Sequence, residues 1–93
     1  MKIKNLEQIR KQYAEDYISK NNNRCENCGI RPIATVHELI FGRGYRKQSI
    51  LEGYLACVCS TCHTRLHTYK EENIKLFEKK FPERTYLKAR QEL

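Results

Sequence analysis

The chain has 93 residues, 40% of them apolar and 31% charged. That is enough for one small domain over 1–93 and not for two, and the apolar share falls below the roughly 45–50% of ordinary globular domains. Eighteen Lys and Arg against eleven Asp and Glu leave a net charge of +7, a positive field that attracts polyanions, nucleic acid first among them. The longest uncharged run, Gly53 to Thr64, is too short and too mixed to span a bilayer, so no membrane association is expected. The first residues, MKIKNLEQIRKQYAEDY, contain no apolar signal core, so the expected location is the reducing cytoplasm. A core this small needs a staple, and five Cys are the place to look for it.

In chain order, residues 5–20 place Leu6, Ile9, Tyr13 and Tyr17, with Ile18 beside the last, at helical spacing, and Asn5 is a candidate N-cap. Asn21-Asn22-Asn23 suits a helix stop and turn. Cys25-Glu26-Asn27-Cys28-Gly29 forms a tight knuckle. Residues 34–41, ATVHELIF, predict a strand that Gly42-Arg43-Gly44 breaks. Arg43, Arg46 and Lys47 cluster in the loop beyond it. Residues 49–53 look like one helical turn closed by Gly53, and 54–58 predict a second strand. Cys59-Ser60-Thr61-Cys62 is a second knuckle, with Ser60 or Thr61 as cap of a helix starting near Cys62. Residues 71–81 carry Ile74, Phe77 and Phe81 at helical spacing and stop before Pro82. Residues 83–92 predict a last short helix with Tyr86 and Leu87 as its apolar contacts.

The pairs Cys25-x2-Cys28 and Cys59-x2-Cys62 lie thirty residues apart. A Cys-x2-Cys turn aims both sulfurs to one side, and two such turns together make a closed four-thiolate site that prefers Zn2+. Zinc binding free energies of ~10–16 kcal/mol could supply much of the stability that a small core lacks. Paired disulfides would need an oxidising compartment. The run Cys59 to His63 also matches a c-type haem attachment, which leaves the first Cys pair unexplained. Cys57, alternating with Cys59 on the second strand, reads as a small buried side chain.

His63 and His67, at i and i+4, share one helix face, and His37 lies on the first strand, followed by Glu38. If the two strands pair as a hairpin and the helix packs across it, His37 meets the helical pair. Three imidazoles gathered so would make a divalent-cation site with open positions, which is what a catalytic metal needs.

Taken together, the order CxxC, strand His, loop, strand and CxxCH-x3-H resembles the HNH endonucleases of the ββα-metal, or His-Me finger, group. The nearest likeness is to short phage-type HNH proteins with a zinc knuckle. It is carried by His37-Glu38-Leu39-Ile40-Phe41-Gly42, by Arg46-Lys47-Gln48-Ser49, by Gly53 and by Cys59-Ser60-Thr61-Cys62-His63. Phage recombination-enhancement nucleases are similar more loosely. The resemblance covers about residues 24 to 69 and implies an α+β, zinc-stapled ββα-metal core over 24–69 with flanking helices at 5–20 and 71–92. It implies hydrolysis of DNA phosphodiester bonds with one catalytic Mg2+ or Mn2+, leaving a 5′-phosphate and a 3′-hydroxyl. Arg43, Arg46, Lys47 and Arg65 would hold flanking phosphates.

The family often has His-His or Asp-His on the first strand, whereas here Val36 precedes His37. Two registers follow. Either His37 is the general base and His63 and His67 hold the ion, or His37 joins them as a ligand and Glu38 serves as base. The Asn that braces the base in the family has no counterpart, because Tyr45 and Tyr54 stand near its usual slots. The brace is therefore replaced, or the enzyme is weakened. The rival reading is a non-catalytic zinc module that binds DNA or a protein. Tyr13, Tyr17, Phe77 and Phe81 are expected to pack on the core; the alternative is a homodimer surface that brings two sites to one duplex.

Overall fold

The structure, a computed structural model, describes residues 5–93 of the expected domain; residues 1–4 lie outside. The first helix, α1 (Leu6–Asn21), opens with a reciprocal cap: Asn5 Oδ1 accepts from the Gln8 backbone N–H at 2.8 Å, and Gln8 Oε1 accepts from the Asn5 N–H at 3.1 Å. It closes on Asn22 in the left-handed region, φ 54°, which Asn tolerates better than most residues. Two short strands follow, β1 (Thr35–Glu38) and β2 (Leu55–Val58), paired antiparallel with His37 opposite Ala56 and Val36 opposite Cys57. Between them lies α2 (Arg46–Leu51), and after them come α3 (Ser60–Thr68), α4 (Lys70–Lys80) and α5 (Tyr86–Glu92). No helix among the described residues is long and apolar enough to cross a membrane.

Both faces of this two-stranded ribbon are covered, and the period of two sorts its residues between them. Val36, Leu55 and Cys57 face α1, where Leu6, Ile9, Tyr13 and Tyr17 pack over them. Ala56 and Val58 face the larger core built from Leu39, Ile40, Leu66, Leu76, Phe77 and Tyr86. His37, paired with Ala56, therefore lies on the α3–α4 side, and Glu38, paired with Leu55, on the α1 side. Glu26 ties the layers together. Its carboxylate accepts from the Cys57 N–H at 2.6 Å and the Tyr13 hydroxyl at 2.8 Å, and pairs with Lys80 of α4 at 2.7 Å. Burial beside that carboxylate pushes the Tyr13 phenol well above its usual range.

Several expected boundaries move. The strand expected over 34–41 ends at Glu38, because Leu39 and Ile40 are both fully buried and consecutive residues of a strand cannot both face one core. Arg46 and Lys47 belong to α2 rather than to a loop, and Gly53 (φ 77°) makes the turn into β2. The helix expected near Cys62 begins at Ser60, and its cap is the Cys59 sulfur, which accepts from the Cys62 N–H, not Ser60 or Thr61. The last helix starts at Tyr86 behind a Thr85 cap, and Ala89 takes the buried place expected of Leu87, which is 63% exposed. Ile18 is likewise exposed. Cys57 is buried, and Tyr13, Tyr17, Phe77 and Phe81 pack against the chain's own core.

Candidate functional site

Two clusters of metal-ligating side chains lie at the two ends of α3. At its N-terminal end the sulfurs of Cys25, Cys28, Cys59 and Cys62 all come within 4.8 Å of one another, with Cys28 and Cys59 at 4.0 Å. Sulfurs bound at about 2.3 Å to one tetrahedral ion sit about 3.8 Å apart, so the donor set fits Zn2+. Backbone geometry sets this up. The first knuckle turns through Gly29 (φ 71°), its Glu26 N–H donates to Cys57 O at 2.8 Å, and this docks it onto β2 just before the second knuckle. Backbone N–H groups point at the sulfurs, Asn27 to Cys25 at 3.3 Å and Cys62 to Cys59 at 3.4 Å. The N–H groups of Arg31 and Ile30 bring the Cys28 thiol down to about 6, whereas burial pushes Cys62 up to about 12.

The second cluster lies along α3, one turn on. His63 Nε2 and His67 Nε2 are 3.2 Å apart, and one ligand nitrogen from each of His37, His63 and His67 lies within 4.8 Å of the others. Two imidazole nitrogens on a single ion at about 2.0–2.1 Å are separated by about 3.0–3.4 Å, so the helical pair is already spaced for shared ligation. The His37 ring centre is 5.4 Å from that of His63 and 5.0 Å from that of His67. The three burials differ: His37 is 1% exposed, His63 is half-buried and His67 faces solvent. Burial, reinforced by the neighbouring imidazoles, holds His37 down at about 4, and it lowers His63 as well. Both shifts favour the neutral ring, the form of imidazole that can bind a metal.

A residue that sequence reading did not single out fixes the His37 ring. Asn73 on α4 is 1% exposed; its Nδ2 donates to Leu39 O at 2.8 Å, and its Oδ1 meets His37 Nε2 at 2.7 Å. Because the amide's N–H groups are directed to the carbonyl, the oxygen must accept, and His37 Nε2 must carry the proton. The lone pair is left on Nδ1, a buried atom without a partner among the described residues. This supplies a brace for the strand imidazole from a part of the sequence well beyond Tyr45 and Tyr54. The sequence signal was a polar residue set among Leu76 and Phe77 on the inward face of a helix.

The remaining expected site residues are distributed otherwise. Glu38 is held at 3.1 Å by Arg10 Nε and at 3.4 Å by Arg46 Nε, one guanidinium on each carboxylate oxygen. Arg46 also reaches Glu7 at 3.2 Å, and Arg65 pairs with Glu72 at 2.9 Å. Both arginines are thus engaged within the chain. Arg43 and Lys47 have no ion pair among the described residues. No known protein family, curated protein or solved structure matches the chain.

Proposed function

We propose that the chain is a divalent-cation-dependent hydrolase of DNA phosphodiesters, built on a zinc-stapled frame of the HNH, or ββα-metal, kind. The observation that carries this reading is the meeting of His37, His63 and His67 from separate segments, beside a four-cysteine cluster that is a different and closed kind of site. His37 acts as a ligand through Nδ1, not as a general base. It is buried, it is neutral at pH 7, and its other ring nitrogen is held by Asn73, as the outer partners of metal-bound imidazoles usually hold them. Glu38 is not the base either, since both of its oxygens already carry guanidinium partners. His37, His63 and His67 would hold the ion, which would supply positive charge to a phosphate oxygen and lower the pKa of bound water. An all-imidazole set suits a transition ion such as Zn2+ better than Mg2+, which favours oxygen ligands, and Mn2+ lies between them.

The test is plasmid nicking with Mn2+, Mg2+ or Zn2+, set beside metal counts per chain. Wild type should hold one tight zinc and a second, exchangeable ion. His63→Ala/His67→Ala should keep the tight zinc, lose the exchangeable ion and cut at least 100-fold more slowly. Loss of cutting in His37→Ala with ion affinity intact would instead make His37 the base. A wild type that neither cuts nor takes a second ion is the non-catalytic zinc module.

A further inference from the structure

The cations first expected to hold phosphate are partly spent: Arg46 and Arg65 lie in ion pairs with Glu7, Glu38 and Glu72. Beside the imidazoles, however, a cleft of about 270 Å³ is lined by Phe41, His67, Lys70, Tyr86 and Arg90. It joins the histidine cluster directly, because His67 is one of its walls and the Phe41 ring centre is 4.3 Å from that of His67. Neither Lys70 nor Arg90 has a carboxylate partner among the described residues. Arg90 is half-buried, and its guanidinium is held 4.7 Å over the Tyr45 ring, so the charge is oriented before anything binds. Lys70, Tyr86 and Arg90 also line an adjoining cleft of about 280 Å³, so the trough continues past them. Glu78 in that second cleft is already committed, accepting from the Tyr86 backbone N–H at 2.9 Å.

We propose that this trough is the subsite for the nucleotide next to the one cut: Lys70 and Arg90 take its phosphate, and Phe41 offers a ring face to a base. Two unneutralised cations close to an aromatic ring match the chemistry of a single nucleic-acid strand, in which each phosphate alternates with a flat ring. A half-buried guanidinium without a counter-charge is costly unless an anion arrives, which makes Arg90 the anchor. The proposal rests on the hydrolase reading for its choice of ligand, but its test does not need cleavage.

The probe is a fluorescein-labelled dT12 oligonucleotide, read by anisotropy without added divalent ion at several salt concentrations. Lys70→Gln/Arg90→Gln should weaken binding at least tenfold and flatten the salt slope by about 1.4, at about 0.7 for each lost contact to a single strand. Arg43→Gln/Lys47→Gln should do less. Arg90→Lys should recover part of the loss, and Lys70→Gln alone, a change at an exposed residue, keeps the test independent of any folding defect. Phe41→Ala should weaken dT12 but not an abasic strand of equal charge. Unchanged affinity in Lys70→Gln/Arg90→Gln, or no binding by wild type, overturns the subsite. If wild type cuts DNA while these variants bind and cut equally well, the subsite falls and the hydrolase stands. If the variants lose binding but wild type never cuts, the trough stands as a strand-binding site and the hydrolase falls.

Discussion

The two ends of α3 carry the same kind of inventory, metal-ligating side chains from distant segments, yet they are built to opposite specifications. At the cysteine end, three of the four sulfurs belong to buried residues, all donors are used up in a closed set, and each pair comes from a turn a few residues long. At the histidine end the imidazoles grade from buried His37 to exposed His67, and the set has one side open toward a cleft. A closed donor set serves to hold the fold, and an open one leaves room for a substrate. The second is also harder to build, since the strand register puts His37 on the right side but Asn73, on α4, is needed to orient its ring.

The comparison breaks most visibly at the cysteines. Cys25→Ser should abolish tight zinc binding and, because zinc binding is worth ~10–16 kcal/mol in small domains, leave the chain unfolded. Atomic absorption and far-ultraviolet circular dichroism read both effects; a folded, zinc-free Cys25→Ser chain would show that the packed core suffices. A step down in size, Asn73→Leu strands Leu39 O and His37 Nε2 without partners and should cost about 4 kcal/mol in urea unfolding. It should also weaken the exchangeable ion 10–100-fold by titration, while Asn73→Asp, which keeps the acceptor, holds the ion better. Equal ion affinity in Asn73→Leu would end its role as a brace.

The smallest effect is one of pH. Folding holds His37 at about 4 against about 6.5 when exposed, so between those values the unfolded chain binds a proton that the folded one refuses. Stability is therefore full above pH 6.5, falls as pH drops toward 4, and loses about 3 kcal/mol over the window. His37→Gln does not titrate there and should show a correspondingly shallower decline in urea midpoints between pH 7 and 4.5. Identical slopes would remove His37 as the source.

The spacing of Cys25, Cys28, Cys59 and Cys62 announced the four-cysteine cluster in the sequence, and helical spacing and short apolar, β-branched runs announced the helices and the two strands. Those features are local, written in turns and in periods of two and 3.6. The side on which His37 lies was not legible, because it depends on how β1 pairs with β2, and Ala56 had to be placed opposite it. Asn73 is thirty-six residues from its imidazole partner, and only the packing of α4 onto the ribbon brings them together. The salt bridges of Arg46 and Arg65 were hidden for the same reason: their carboxylates sit on other elements.

Cys59 caps α3 through its sulfur and accepts the His63 N–H at its carbonyl, 2.9 Å away, so the first turn that orients the imidazoles is fastened by the same residue that closes the thiolate set. An oxidant that converts those thiolates to disulfide or sulfenate would therefore silence the far end of the helix without ever touching a histidine. The histidine half of the molecule inherits the redox vulnerability of its cysteine half.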